Sequence, residues 1–236
     1  MFNLWVEQKI GSLINLRVGQ FTAAQEFLVS QNANLFVNAT FGWPASTAQN
    51  LPSGGPAYPE ATPGARIQFS PTKELAFKAA IFNGDPAGPG IGNPVQRDPF
   101  GVALRVNDPP LFIAELTYLY GQEHANGMRE NPNQEGSRRA ALRGQSSATD
   151  LPGAIKIGAM IHTGLFADQR FDTQSSLLAV SGGLPLQHRG NYAVYGVVDQ
   201  MLWRSASGSD QSLSVFCEGR GLPAHRTSLI SIWMAE

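Results

Sequence analysis

The chain has 236 residues, with 17 Lys and Arg against 18 Asp and Glu for a net charge of −1, so there is no basic surface and no electrostatic case for nucleic acid. Only 15% of residues are charged, against roughly 25% in typical soluble domains, and a single cysteine, Cys217, excludes an internal disulfide framework and any cysteine-based zinc site. No run reaches the ~18 consecutive apolar residues of a membrane helix, and Met1 leads into Phe2-Asn3-Leu4-Trp5 with no basic n-region or apolar h-region, so no signal peptide is expected in this chain.

The dominant pattern along the chain is strand-like alternation with period two. It predicts strands at 4–10, 14–21, 65–70, 74–82, 100–107, 111–120, 154–164, 191–203, 212–220 and 227–233, about ten in all. Helical periodicity is weak, and the best helix candidate is the short stretch TAAQEFLVS at 22–30. The first half of the chain places Arg17, Arg66, Gln68, Lys78, Arg105 and Glu115 on the polar parity of its strands. The second half adds Lys156, Asp199, Glu218 and Arg220. Apolar residues such as Val18, Ile67, Ile81, Leu104, Leu116, Ile157 and Val198 fill the other parity.

The connectors differ in length. Short turns are expected at Gly11-Ser12, Ser70–Lys73, Asn107–Pro110 and Pro223–Arg226, and long loops at 22–64, 83–99 and 121–153. Tight turns at one end of the strands and long loops at the other are the layout of an outer-membrane barrel. Counting strands, however, puts 165–190 on the tight-turn side, where so long a segment is out of place. The longest loop ends in NLPSGGPAYPEATPG (50–64), with four prolines and three glycines. Proline removes an N–H donor and fixes φ, so this stretch reads as a stiff loop rather than a helix or central strand.

Alternation alone fits two environments. A soluble sandwich turns its apolar face to a core, and a membrane barrel turns it to lipid. Low charge, charges confined to one strand parity, aromatics near strand ends and the loop layout favour the barrel. A secreted β-sandwich that binds carbohydrate is the alternative.

Other motifs carry less. GDPAGPGIGNP (84–94) resembles a phosphate loop, yet it lacks the Gly-Lys-Ser/Thr ending, and its prolines remove the needed donors. His124, His162, His188 and His225 share no metal-ligand spacing. Asp168 and Asp172 read as two carboxylates in one loop with nothing to position them as a hydrolytic pair. The basic stretch 129–145 has no aromatics on which bases could stack. Asn38-Ala39-Thr40 matches a glycosylation triplet as easily by chance as by design. No nucleophile–base constellation is visible, so the reading is not an enzyme, and no cofactor is expected.

Several stretches resemble the carbohydrate-selective porins of the OprB family: NATFGWP (38–44), NLPSGGPAYPEATPGAR (50–66), FNGDP (82–86) and RDPFG (97–101). PGAIKIGAMIHTGLFAD (152–168), HRGNYAVYGVVDQMLWR (188–204) and FCEGRGLPAHR (216–226) follow in the family's order. The resemblance implies an all-β, antiparallel transmembrane barrel of about sixteen strands that passes mono- or oligosaccharides through the outer membrane of a Gram-negative bacterium. Of that barrel the chain would hold roughly the middle, as one partial barrel over 1–236, without a signal peptide and by itself an incomplete channel. Its partners would be sugars and outer-membrane lipid, not nucleic acid, with homo-oligomers left open. The polar-parity residues become pore-lining candidates, and mixed signs suit a neutral solute. The 22–64 loop becomes the segment that folds into the pore, with Trp43, Tyr58 and Arg66 expected to stack on and hydrogen-bond a sugar.

Overall fold

The computed structural model describes residues 2–37, 42–121, 151–205, 211–221 and the backbone of 232–235. Within them, nine strands form one sheet in sequence order: β1 (Leu4–Ile10), β2 (Ile14–Phe21), β3 (Thr62–Phe69), β4 (Leu75–Asn83), β5 (Pro110–Tyr120), β6 (Gly153–Asp172), β7 (Pro185–Arg204), β8 (Ser212–Gly221) and β9 (Ile232–Ala235). Every neighbouring pair is antiparallel. Among the described residues β1 and β9 do not pair with each other, so the sheet is open.

The two faces of the sheet reverse the soluble arrangement. On one face Val6 is 75% and Ile157 62% exposed, and Val18, Ile67, Ile81, Phe112 and Val194 are also exposed. On the other, Arg66 is 3% and Glu115 1% exposed, with Arg17, Asp199, Glu218 and Arg220 also buried. A soluble sandwich needs its apolar face covered, because that burial drives folding. Here the charged face is covered and the apolar face is bare, as in a barrel that meets lipid outside.

The cover on the polar face is the described part of the connector between β2 and β3, residues 22–37 and 42–61. Its Phe27 and Leu28 are fully buried with Phe21, Phe82, Leu111, Ile113, Met160, Tyr195 and Val197, and Trp43 and Leu51 pack against that cluster. This apolar patch sits at the long-loop end of the polar face. The expected helix at 22–30 shrinks to a single 3-10 turn, Ala23–Gln25. Tertiary contacts override its weak helical pattern, because residues 26–30 spend their backbone and side-chain groups on the sheet.

Segment 100–107 is not a strand. Gly101 takes φ +63°, and the N–H groups of Val102 and Ala103 donate to the Asp98 carboxylate at 3.1 Å each. Those donors would have formed a ladder, and a local cap has taken them. The expected ten strands therefore become nine among the described residues.

Removing that strand also shifts the loop parity of everything after it. The segment 165–190 moves to the end that carries the long connectors. Most of it is strand: β6 and β7 each run 20 residues and enclose a turn over 173–184. Twenty residues are about twice the 9–11 that a tilted membrane strand needs. Register shifts between His162 and Leu165 and between Ala167 and Asp172 separate the regular ladder from its projecting tip. β5 then ends and β6 begins at the tight-turn end, contrary to the long loop expected at the other end for 121–153; residues 122–150, with the basic stretch and His124, lie outside the described residues, as do 38–41, the Pro223–Arg226 turn and His225.

Candidate functional site

The polar face is organised by strand register. Arg17 on β2 stands opposite Glu7 on β1 and Arg66 on β3. Two arginines directly across a ladder repel each other, so carboxylates must lie between them. Glu7 accepts from Arg17 Nε at 2.9 Å, and Glu26 of the connector pairs with Arg17 and lies 3.3 Å from Arg66 Nε. Arg66 also donates to Asn15 Oδ1 at 2.8 Å, and the Arg17 guanidinium lies 4.0 Å over the Trp5 ring.

A second group lies further along the sheet. Lys78 on β4 stands opposite Glu115 on β5, with 3.4 Å between Nζ and Oε1. Glu115 Oε2 accepts the Leu28 N–H and the Tyr195 hydroxyl, both at 3.0 Å. Lys78 also donates to the Glu26 carbonyl, and Lys156 on β6 donates to the Val29 carbonyl. Asp199 on β7 accepts from Ser30 Oγ and from the N–H groups of Gln31 and Asn32 at 3.4 and 3.3 Å. Asn32 Nδ2 reaches the Val215 carbonyl on β8 at 3.3 Å. Residues 26–32 thus cross the strands in order, from Arg17 and Arg66 to β8.

A third group ties down the rest of the connector. Arg220 on β8 donates to Thr47 Oγ1 at 2.7 Å, and Glu218 lies 3.6 Å from the Arg220 guanidinium. Asn191 Nδ2 donates to the Asn50 carbonyl at 3.0 Å. Charges of both signs are mixed across the described face, with Glu7 and Glu26 beside Arg17 and Arg66 and with Glu115 beside Lys78.

The candidates named from sequence fall into two sets. Arg17, Arg66, Lys78, Glu115, Lys156, Asp199, Glu218 and Arg220 lie on the polar face, all but Glu218 in direct contact with the connector and Glu218 paired with Arg220. Gln68 is half-buried there and donates to Ser70 Oγ at 3.1 Å. Arg105 is not on the sheet: it pairs with Asp108, Nη2 to Oδ1 2.8 Å, within the connector between β4 and β5. That hydrogen bond holds the Asp108 carboxyl below its ordinary value.

Trp43 and Tyr58 line one cleft, but Arg66 does not join them, because Glu26 and Asn15 hold it deep on the polar face. The Trp43 indole N–H donates to the Gly54 carbonyl at 3.0 Å, so its ring, not its donor, is offered to the cleft. Sequence reasoning passed over Glu26, Ser30 and Tyr195. Glu26 and Ser30 sat inside the short stretch read as a helix, and nothing local marked them as partners of distant strands.

Asp168 and Asp172 have positions after all. Asp168 accepts the N–H groups of Arg170 and Phe171 at 2.7 and 2.9 Å and contacts His188 Nε2 at 2.6 Å. The two backbone bonds, then His188, hold its carboxyl at about 2. Asp172 accepts from Gln174 and Ser176 at 2.9 and 2.8 Å and closes the turn. Both are turn-building groups in the projecting hairpin, and neither is placed to attack a substrate.

Comparison with known proteins bears on this arrangement. The model of the OprB family of carbohydrate-selective porins matches residues 1–231. Among solved structures, OprB of Pseudomonas putida, in a high-pH structure, superposes with a TM-score of 0.70 at 16% identity. The superposition covers 98% of this chain and 47% of that chain, so this chain spans about half the length of that porin. A search of curated proteins returned no match.

Proposed function

Because the chain belongs to the OprB family of carbohydrate-selective porins, we propose that it supplies part of the wall and constriction of a passive outer-membrane channel for carbohydrates. The observation that carries this reading is the inversion of the faces: apolar side chains exposed outside, and paired charges buried on a face crossed by residues 26–32. The exposed apolar face meets lipid, and the polar face borders the path of the solute.

No catalyst is required. A sugar channel needs water, hydrogen-bonding groups for hydroxyls, and binding weak enough for release. Acid–base pairs such as Lys78–Glu115 and Arg17–Glu26 cancel each other's fields, which favours a neutral solute over ions. The crossing connector narrows the lumen, and its bonds to successive strands keep it from swinging. The outer edges of β1 and β9, unpaired among the described residues, cannot face hydrocarbon, because lipid leaves their N–H and C=O groups unsatisfied. Further strands therefore complete the wall, and the isolated 236-residue chain does not conduct.

Liposome swelling tests this. A full barrel that contains this chain should admit glucose well above protein-free vesicles, and the isolated chain should not. Glucose entry no faster than in protein-free vesicles would sink the channel reading; entry through the isolated chain would sink the claim that it is incomplete.

A further inference from the structure

β1, β2 and β3 are short for a membrane wall. They run 7, 8 and 8 residues, below the roughly 9–11 that a tilted membrane strand needs. A strand of 8 residues, at ~3.4 Å rise and ~40° tilt, reaches about 21 Å, short of a ~25 Å apolar band. The shortfall lies at the long-loop end. On β2 the outward apolar row ends at Val18, and the next outward position is Gln20. On β4 that row ends at Ile81, and the next is Asn83. Both amides are buried, although they continue the row of the exposed apolar face.

The connector between β4 and β5 buries them. Gln20 Nε2 donates to the Gly101 carbonyl at 2.7 Å. Asn83 Nδ2 donates to Asp108 Oδ2 at 2.9 Å, and the Asp108 N–H donates to Asn83 Oδ1 at 3.0 Å. Residues 101–108 are thus pinned at both ends over the outside of the wall. Between the pins the side chains alternate. Leu104 is 68% and Val106 71% exposed, and Val102 is exposed with them, as is Phe100 just before. Ala103 and Arg105 are half-buried, and Arg105 is paired with Asp108. Leu4, Val18, Gln20, Pro63, Leu104 and Val106 line a groove of about 350 Å³.

We infer that residues 100–106 form a lipid-binding rim, and that the groove seats acyl chains of the outer leaflet. The long-loop end of such a barrel is the extracellular one. Leu4 and Val18 belong to the bare apolar face, so the groove is continuous with the surface that meets lipid. A segment laid over the strand ends adds about one strand spacing, ~5 Å, which brings the short strands up to the height of the band. Mismatch between wall and bilayer is thereby relieved without longer strands. By itself, a stripe of four side chains falls far below the ~800 Å² per partner of a stable protein interface, which favours lipid over a second copy. The inference rests on the reading of the chain as part of an outer-membrane barrel, and adds a lipid contact made by a connector.

Nitroxide labels on single cysteines test this in a full barrel that contains this chain, reconstituted in phosphatidylcholine vesicles. Cys217→Ser, with any other cysteine replaced, supplies the background. Oxygen favours hydrocarbon and a nickel chelate favours water, so relaxation of the label by each reports its surroundings. Leu104→Cys and Val106→Cys should give an oxygen-to-chelate ratio within about threefold of Ile157→Cys on the apolar face, and well above Val180→Cys on the projecting hairpin. All four side chains are exposed, so the labels crowd no packed site. A ratio at 104 and 106 equal to that at 180 would place the segment in water and overturn the inference. Low access to both reagents would place a protein partner, such as a second copy, on the rim and overturn it too. Oxygen preference at 157 without it at 104 and 106 overturns the rim alone; its absence at 157 overturns the barrel-wall reading.

Discussion

The Tyr195 hydroxyl reaches Glu115 Oε2 at 3.0 Å by passing over a strand that lies between them. Gly158 on β6 pairs with Glu115 on one side and with Tyr195 on the other. The tyrosine ring lies flat across that glycine: a Cβ at 158 would come within 2.1 Å of Tyr195 Cζ. A small residue on β6 thus lets a side chain on β7 satisfy a buried carboxylate on β5.

Gly158→Ala should expel the tyrosine and release its bond to Glu115. Crowding a packed site costs about 1–3 kcal/mol, and losing a hydrogen bond to a charged group costs about 1.5–3 kcal/mol. Tyr195→Phe removes only the bond. Both variants should lower the temperature at which the folded form converts to the unfolded band on a gel, Gly158→Ala by more. Equal stability of Gly158→Ala and wild type would show that the ring does not need that space.

Asp199 holds the connector at three points, through Ser30 and the Gln31 and Asn32 N–H groups. Asp199→Ala leaves all three donors without that acceptor, a cost of about 1–3 kcal/mol for each donor that stays buried. The connector should then be cleaved several-fold faster between 26 and 35 in limited proteolysis, and a full barrel carrying the change should show larger single-channel conductance. Unchanged cleavage and conductance would mean that other contacts hold the segment alone.

Arg105 pairs with Asp108 at a site where its side chain is 37% exposed. Exposed pairs of this kind contribute about 0–1 kcal/mol. Arg105→Ala should leave glucose flux through a full barrel within error of wild type, whereas Arg66→Ala, which strips Glu26 of a buried partner, should alter it. A loss of flux in Arg105→Ala equal to that in Arg66→Ala would place Arg105 on the solute path.

The projecting hairpin carries an acid-sensitive contact. The Asp168 carboxyl is held at about 2, below the ~3.9 of an unperturbed aspartate. A depressed folded value means that the contribution is complete above the unfolded value and is lost as pH falls through the folded one. Amide exchange at Arg170 and Phe171 should therefore be slow at pH 5 and accelerate, beyond the intrinsic trend, between about pH 4 and 2. Asp168→Asn should remove that step. Its persistence in the variant would assign it to another group.

Much of the fold was legible because strand alternation is a local property. Eight of the expected strands recur at nearly the expected places, and the polar parity that selected Arg17, Lys78, Glu115, Lys156 and Asp199 is the parity that the sheet covers. The failures are equally physical. Segment 100–107 alternates like a strand, yet Asp98 caps its first donors and Arg105 turns back to Asp108. Alternation says where side chains would point in a ladder, not whether a partner strand is free to form one.

The chain by itself determined an antiparallel sheet with an apolar and a charged face, because period two and side-chain type suffice for that. Only the tertiary structure decided what covers the charged face. Ser30 meets Asp199 across 169 positions of sequence, Leu28 meets Glu115 across 87, and Asn191 meets Asn50 across 141. Such contacts depend on where a long connector comes to rest, and that is set by the sum of distant hydrogen bonds and buried apolar groups, which no short window of sequence contains.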